Sequence, residues 1–155
     1  MKDWQERLLA SLPYLLPLTG VMPLGGYLVH HYSFLLPALE PLLWLHHFLN
    51  FPLLPFISLD TILFFALFSL VVRDGRFYRS VRVNVLQALL LTLVVFLCSL
   101  LVRLAGTALP LLGEVLANAT FIGIGIASGF GLVQAARGEV AELPGITEAA
   151  QLQVR

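Results

Sequence analysis

Three uncharged, mostly apolar stretches, each about as long as a membrane-crossing helix, constrain the fold of this chain more than any other feature. They run from Leu8 to Val29, from Val83 to Val102 and from Val115 to Ala136. A helix needs about 20 mainly apolar residues to cross a hydrocarbon core of ~30 Å. With 59% hydrophobic and 12% charged residues, the chain is too apolar for an ordinary soluble domain. The sequence therefore predicts an all-α, polytopic membrane protein.

Residues 30–72 are also apolar, but prolines and ionisable residues divide this segment into two parts. Residues 55–72 predict a further helix, because no proline follows its first position and Ser58 or Asp60 can satisfy free backbone N–H groups near its start. Residues 33–54 contain several prolines, each of which removes a helix hydrogen bond that lipid cannot replace. We therefore expect this part to form a bent interfacial or re-entrant segment between the first and second spans.

The positions of the basic residues favour four spans over five. Four arginines crowd into the loop between the second and third spans: Arg73, Arg76, Arg79 and Arg82. With four spans, eight of the nine Lys and Arg residues lie on one side and only Arg103 lies on the other. That side is cytoplasmic or stromal, because basic loops stay there. A fifth span would separate the N-terminal charges from the arginine-rich loop.

The prediction is thus one integral membrane domain with both termini on the cytoplasmic or stromal side. Its spans are expected at residues 8–29, 55–72, 83–102 and 115–136, and a tail follows at 137–155. The tail is too short to fold alone, so we expect it to be ordered against the arginine-rich loop or against a partner.

Two of the spans carry features that suit contact with another helix. Asn84 and Gln87 lie three residues apart on one face of the third span, so they are expected to bond a neighbouring helix or to line a wet vestibule. On the fourth span, a groove of small residues includes a GxxxG pair and lets a second backbone approach closely. Its members are Gly123, Gly125, Ala127, Gly129 and Gly131. Either the protein's own bundle or a partner, such as a second copy, could pack there.

Charged residues at the outer ends of the spans form a second candidate site. Asp60, Arg103 and Glu114 fall near the non-cytoplasmic ends of the second, third and fourth spans, where an unpaired charge is costly. A mutual ion-pair cluster is the expected arrangement, and a substrate entry is the alternative. His30-His31 and His46-His47 lie on the same side. Adjacent residues on a helix point about 100° apart, so no metal site is predicted.

The residues give no basis for an enzyme. No nucleophile–base pair, phosphate-binding loop or carboxylate dyad stands out, so no catalytic residue, cofactor or nucleic-acid partner is predicted. A small-solute carrier or passive pore is the alternative to a scaffold role. Coupled carriers usually need ionisable groups or broken helices near the midplane, whereas the mid-span residues here are Leu, Val, Phe, Ala and Gly with scattered Ser and Thr.

Four stretches of the chain resemble a known family. They are "RLLASLPYLLPL" near the start, "FFALFSLVVR" before the loop, "RVNVLQALLL" after it and "GEVAELPGITEAAQLQVR" at the end. They are similar to the Tic-twenty family, membrane subunits of the protein-import translocon at the chloroplast inner envelope, with cyanobacterial and plastid-encoded relatives. The resemblance runs from about Arg7 to Arg155. Its most specific positions are Arg82, Asn84, Gln87 and Ala88 in the third helix and Pro144, Ile146, Glu148, Ala149, Gln151, Val154 and Arg155 in the tail.

The resemblance implies four helices with both termini on the stromal or cytoplasmic side, in agreement with the charge argument. It also implies a subunit of a protein-translocation complex that contributes a channel wall or a docking scaffold. Its partners would be lipid, further copies or other translocon subunits, and a translocating polypeptide. A packed four-helix bundle fills its own interior, so one copy is not the whole channel.

The start of the chain and its basic residues suggest a source. The chain begins "MKDWQER" without the long Ser-rich transit region of plant precursors, and it uses Arg far more than Lys. We expect a cyanobacterial protein of the plasma or thylakoid membrane, or a plastid-encoded protein of the inner envelope.

Overall fold

The structure, a computed structural model, describes residues 3–154 and is mostly helical. Lys2 and Arg155, which enter the charge and family arguments above, lie outside the described residues. Two long helices, α6 (Arg79–Ala108) and α7 (Pro110–Arg137), form a hairpin at the centre of the molecule. The shorter N-terminal helices and the C-terminal tail pack against this hairpin.

The first apolar stretch does not form one straight helix, and the span over 8–29 stays a prediction. It is made of three helices and two 3-10 turns: α1 (Trp4–Ser11), Leu12–Tyr14, α2 (Leu15–Gly20), Met22–Gly25 and α3 (Gly26–His31). The axis bends by 45° after Gly20. Pro13 and Pro23 lie in the two turns, and proline both lacks a helix donor and disfavours helical geometry in the residue before it.

The segment predicted to be interfacial or re-entrant contains a helix despite its prolines. After a 3-10 turn at Ser33–Leu35, α4 runs over Leu36–Leu49. Pro37 occupies its first turn, where no helix hydrogen bond is lost, whereas Pro41 lies inside it. With 14 residues, α4 rises about 21 Å, less than a hydrocarbon core of ~30 Å.

A small β-hairpin precedes the next helix, which begins at Leu59 and not at residue 55 as predicted. β1 (Pro52–Leu54) pairs antiparallel with β2 (Ile57–Ser58). Helix α5 (Leu59–Leu67) follows and ends in a π-helical turn at Phe68–Val72. The side chain of Asp60 in the first turn accepts a hydrogen bond from the Thr61 backbone N–H at 2.7 Å, which supports a helix start at this point.

Helices α6 and α7 extend beyond the spans predicted at 83–102 and 115–136. The flanking charges do not stop a helix, because long charged side chains can reach the polar boundary of the membrane. Backbone chemistry ends these helices. Leu109 is extended before Pro110, which suits the first position of α7, and Gly138 closes α7 in a left-handed conformation with φ 90°.

The helix lengths give two or three membrane crossings. α6 and α7 are long and apolar enough to cross, and the bent segment α1–α3 makes a third if it is one span. The segment from α5 through its π-helical turn, Leu59–Val72, is apolar but shorter. The structure therefore shows a polytopic helical membrane protein, and the third and fourth crossings stay predictions.

Candidate functional site

Three buried polar side chains meet where the N-terminal segment, α6 and the tail come together. Tyr14 lies in the first 3-10 turn, and Asn84 and Gln87 lie in the N-terminal half of α6. All three side chains are fully buried, with 0% exposed. The Tyr14 hydroxyl donates to Gln87 Oε1 at 2.8 Å and lies 3.4 Å from Asn84 Oδ1. The polar face predicted on the third span is therefore turned into the protein.

The two amides of α6 hold the backbone of the tail. Asn84 Nδ2 donates to the Glu139 carbonyl oxygen at 2.9 Å, and Asn84 Oδ1 accepts the Ala141 N–H at 3.2 Å. Gln87 Nε2 donates to the Ala141 carbonyl oxygen and to Thr147 Oγ1, both at 2.9 Å. Each amide has a partner for its oxygen and its nitrogen, as buried polar groups require. We call the side chains of Tyr14, Asn84, Gln87 and Thr147 the tail clamp.

The tail folds around Thr147 and ends against the first residue of α6. Thr147 Oγ1 accepts the Leu143 N–H at 2.7 Å, which closes the turn that leads into α8 (Ile146–Gln153). At the C-terminal end of α8, the Arg79 guanidinium donates to the carbonyl oxygens of Val154 at 3.3 Å and Gln151 at 3.5 Å. A cation is favourable there, because carbonyl groups without helix partners point outward. The tail is thus ordered against α6, through the clamp and through Arg79.

The arginine-rich loop is a short turn between α5 and α6. Arg82 Nε donates to the Val72 carbonyl oxygen at 2.8 Å and so ties the end of the π-helical turn to α6. The Asp74 carboxylate accepts the Arg76 backbone N–H at 3.0 Å. The exposed pair Arg76–Asp74, at 3.9 Å, is the one salt bridge within residues 3–154. Arg73 is exposed.

The Tyr14 ring lies directly against α7 at Gly131. A Cβ at Gly131 would overlap the ring, so only glycine leaves room for it. Gly131 thus packs inside the protein's own bundle.

The other glycines of the predicted groove lie at open positions of α7. No atom outside the local helix lies within 4 Å of a Cβ built on Gly123, Gly125 or Gly129. Ala127 packs partly against the core. The groove is therefore divided, since Gly131 faces the bundle and the other three glycines have open space beside them. Gly125 and Gly129 lie one turn apart on the same side of α7, and we call them the open glycine face, whereas Gly123 lies about 160° from Gly125 around the helix.

Two of the three predicted outer charges line one polar cavity. Asp60 and Arg103 both border a cavity of about 390 Å³, whereas Glu114 does not. Its other polar lining residues are His46, Asn50, Thr92 and Ser99. Burial lowers the pKa of the His46 imidazole and so favours its neutral form. No direct ion pair joins Asp60, Arg103 and Glu114 in the described part of the chain.

The histidine pairs do not combine with other ligands into a metal centre. In the chain from residue 3 to residue 154, no group of three or more His, Cys, Asp or Glu side chains could hold a metal ion.

Sequence reasoning missed four residues that position these features. Tyr14 and Thr147 complete the tail clamp, and no feature of the sequence around them marks their hydroxyl groups as buried hydrogen-bonding groups. Gly106 and Gly113 allow the close approach of α6 and α7, because a Cβ at Gly113 would lie 2.6 Å from Gly106 Cα. The available signal was their near-symmetric placement around the Leu109-Pro110 turn.

Comparisons with known proteins cover nearly the whole chain. The family model described as "Chloroplast import apparatus Tic20-like" matches residues 1–150. A "Tic20 family protein" of the cyanobacterium Synechocystis sp. is 33% identical over 159 residues, which span 99% of this chain and 95% of that relative. The matched region contains the open glycine face and all four residues of the tail clamp.

Proposed function

The chain belongs to the Tic20 family, and we propose that it is a membrane subunit of a protein-translocation complex. In that complex it contributes a channel wall or a docking scaffold. The family description names an import apparatus. The apolar helices α6 and α7 make the chain an integral membrane protein. Its proposed partners are further copies of the chain, other translocon subunits and a translocating polypeptide, and no catalytic role is proposed.

The proposed topology has four crossings. The bent segment α1–α3 crosses first, the segment Leu59–Val72 returns, and α6 and α7 complete the bundle. This arrangement places both termini and the arginine-rich loop on the cytoplasmic or stromal side, as the distribution of basic residues favours. It leaves α4 at the opposite surface. The membrane would be the plasma or thylakoid membrane of a cyanobacterium, or the plastid inner envelope.

The open glycine face is the observation that carries the proposed role. Glycines on a membrane helix let a second helix approach closely enough for extensive backbone packing. On the inner side of the bundle, the side chains of the tail clamp are hydrogen-bonded and Gly131 packs against the Tyr14 ring. Gly125 and Gly129 remain uncovered on one side of α7, and this arrangement suits a subunit that packs against another membrane chain.

The packing of the chain also limits what a single copy does. Val85, Leu89 and Leu91 on α6 are at most 1% exposed, so side chains fill the centre of the bundle. A polypeptide path therefore has to form between copies or between this chain and other subunits.

A small-solute carrier is the weaker alternative. The polar cavity of Asp60 and Arg103 extends along α6 to Thr92 in the middle of that helix, but its charged groups lie at the outer end. Coupled carriers usually place their ionisable groups near the midplane instead.

The test is gentle-detergent purification of the native complex from membranes that carry the wild-type chain or Gly125→Leu. We expect the wild type to co-purify with further copies or with other membrane subunits. The Gly125→Leu chain should be recovered alone, because leucine blocks the close approach of a second helix. Gly26→Leu is the matched control, since Gly26 is exposed and has nothing within 4 Å of its Cβ position.

The carrier alternative makes the opposite prediction. The wild-type chain would be recovered alone from native membranes, and the purified chain would move a small solute saturably across liposomes. That pair of results would overturn the proposed function.

A further inference from the structure

The polar cavity at the outer end of α5 is lined by an arginine that has no partner among the described residues. Arg103 lines the cavity and makes no hydrogen bond or ion pair with any residue from 3 to 154. Asp60 lines it as well, and its hydrogen bonds from Ser58 Oγ and Thr61 N–H both reach Oδ1. Oδ2 accepts none from the described residues. The cavity thus offers a cation, a carboxylate oxygen and several neutral polar groups to a ligand.

An apolar cleft lies beside this cavity and uses the same helices. The cleft has a volume of about 240 Å³ and is lined by leucines and one proline: Leu9, Leu12, Pro13, Leu15, Leu16, Leu45, Leu49, Leu63 and Leu67. On α5, Asp60 lines the cavity, and Leu63 and Leu67, on the same helical face, line the cleft. On α2, Leu16 lines the cleft and Gly20, one turn later, lines the cavity.

The charged end of the cavity lies at the depth where lipid head groups begin, and the cavity continues inward to Thr92. Arg103 follows Arg82 by 21 residues on α6, a rise of about 32 Å, which matches a hydrocarbon core of ~30 Å. If Arg82 marks one boundary, Arg103 marks the other. Leu63 and Leu67 lie about one and two helical turns deeper than Asp60.

From this arrangement we infer that the cavity and the adjoining part of the cleft bind one phospholipid of the outer leaflet, with its phosphate at Arg103 and an acyl chain beside Leu63 and Leu67. The guanidinium group suits a phosphate monoanion. The carboxylate of Asp60 disfavours a purely anionic ligand and favours a head group that ends in a hydrogen-bond donor. A terminal ammonium group or hydroxyl group meets this requirement, and a quaternary ammonium group does not.

The experiment uses the full chain, delipidated in detergent and then offered phosphatidylethanolamine, phosphatidylglycerol or phosphatidylcholine of equal acyl length. Native mass spectrometry counts the lipids that stay bound. We expect the first two lipids to be retained about tenfold more than phosphatidylcholine, and Arg103→Gln to lower their retention about tenfold. Arg76→Gln, at an exposed arginine of the loop, should retain lipid as the wild type does.

Two further variants separate a lipid from a free phosphate and a local effect from misfolding. Leu63→Trp fills the cleft and leaves the polar cavity intact, so it should lower lipid retention while thermal stability stays near wild type. Asp60→Asn should reduce the preference over phosphatidylcholine. Wild-type retention by Arg103→Gln or by Leu63→Trp, or equal retention of all three lipids, would overturn the inference. Displacement of the bound lipid by millimolar glycerol 3-phosphate would also overturn it, because the site would then bind a free anion.

Discussion

At the scale of single residues, the tail clamp holds the tail through a few buried hydrogen bonds. Asn84 and Gln87 are fully buried among apolar side chains, where a hydrogen bond is strong and an unpaired polar group is costly. Their four polar atoms bond the backbone or side chains of Glu139, Ala141, Thr147 and Tyr14. The same two residues therefore fix the position of the tail and the position of the N-terminal segment at Tyr14 against α6.

Replacing Gln87 by leucine should destabilise the protein more than a similar change at a local hydrogen bond. Gln87→Leu removes the nearer acceptor of the buried Tyr14 hydroxyl, leaving only Asn84 Oδ1 at 3.4 Å, and removes a donor from Ala141 and Thr147. We expect a loss of about 1–3 kcal/mol in the free energy of unfolding. Thr92→Val is the control, because Thr92 bonds only a carbonyl oxygen of its own helix. Thermal unfolding in detergent compares them, and equal losses would contradict the role given to Gln87.

The two ends of the glycine groove should respond differently to one added methyl group. Gly131→Ala forces the Tyr14 ring away from α7 and strains its bond to Gln87, at a cost of about 1–3 kcal/mol. Gly129→Ala meets open space and should leave the stability of the isolated chain within about 0.5 kcal/mol of wild type. The measurement is the midpoint of thermal unfolding of each variant in the same detergent. A loss at Gly129 as large as that at Gly131 would show that the groove is not divided.

Sequence pattern located the polar face of α6 but not all of its partners. Spacing places Asn84 and Gln87 on one helical face, because helix geometry is local. Their bonds to Glu139 and Ala141 span more than 50 positions along the chain. Such partners depend on how the tail folds back, and no local pattern encodes that. Tyr14 was missed for the same reason, since its hydroxyl matters only once the first segment lies against α6.

At the scale of secondary-structure elements, the α6–α7 hairpin is the central unit. The two helices are separated by a single residue, Leu109. The last turn of α6 and the first turn of α7 lie almost backbone to backbone at Gly106 and Gly113. This contact sets how closely the two longest helices approach at one end.

A methyl group at Gly113 should open this hairpin. The new Cβ would lie 2.6 Å from Gly106 Cα, which belongs to the backbone and cannot move aside as a side chain can. We expect Gly113→Ala to cost about 1–3 kcal/mol in the free energy of unfolding. Gly123→Ala, at an open position of the same helix, should be nearly neutral. Unfolding by denaturant in mixed micelles gives both values, and a neutral Gly113→Ala would show that the helices are not held this closely.

The elements that sequence predicts best are those with uninterrupted apolar runs. α6 and α7 contain the predicted spans in full and differ only at their ends, where charged residues continue the helix. The first span was predicted from its lack of charge, and the structure shows it bent, with Pro13 and Pro23 in its two 3-10 turns. Conversely, α4 forms although it contains Pro41, since a single lost hydrogen bond does not prevent a helix that packs against its neighbours.

At the scale of the whole molecule, the side of the membrane taken by each loop distinguishes the proposed topology from others. Single cysteines placed at residue 47 and at residue 75 on a Cys98→Ser background report this with a membrane-impermeant thiol reagent. The basic loop predicts that residue 75 reacts from the cytoplasmic side and residue 47 from the opposite side. Reaction of both residues from one side would rule out the four-span arrangement.

The folding of the tail against the rest of the chain depends on the whole molecule. The charge and length of the tail predicted it only in part. An ordered tail was expected against the arginine-rich loop or against a partner. In the structure the tail packs mainly against α6. Its contact with Arg79, at the end of the arginine-rich loop, agrees with that expectation. Deleting the tail would therefore expose the clamp as well as remove a docking surface, so point substitutions on α7 test partner binding more cleanly.

Photo-crosslinking from the open glycine face is the most direct test of a subunit that packs against another membrane chain. A photoreactive amino acid at Gly125 in native membranes should yield adducts with a second copy or another membrane protein. The same probe at Leu97, an exposed apolar residue of α6, should yield mainly lipid adducts. Protein adducts from Gly125 above those from Leu97 are the predicted result. Lipid adducts alone from Gly125 would contradict the account, because the glycine face would then be in contact only with the bilayer.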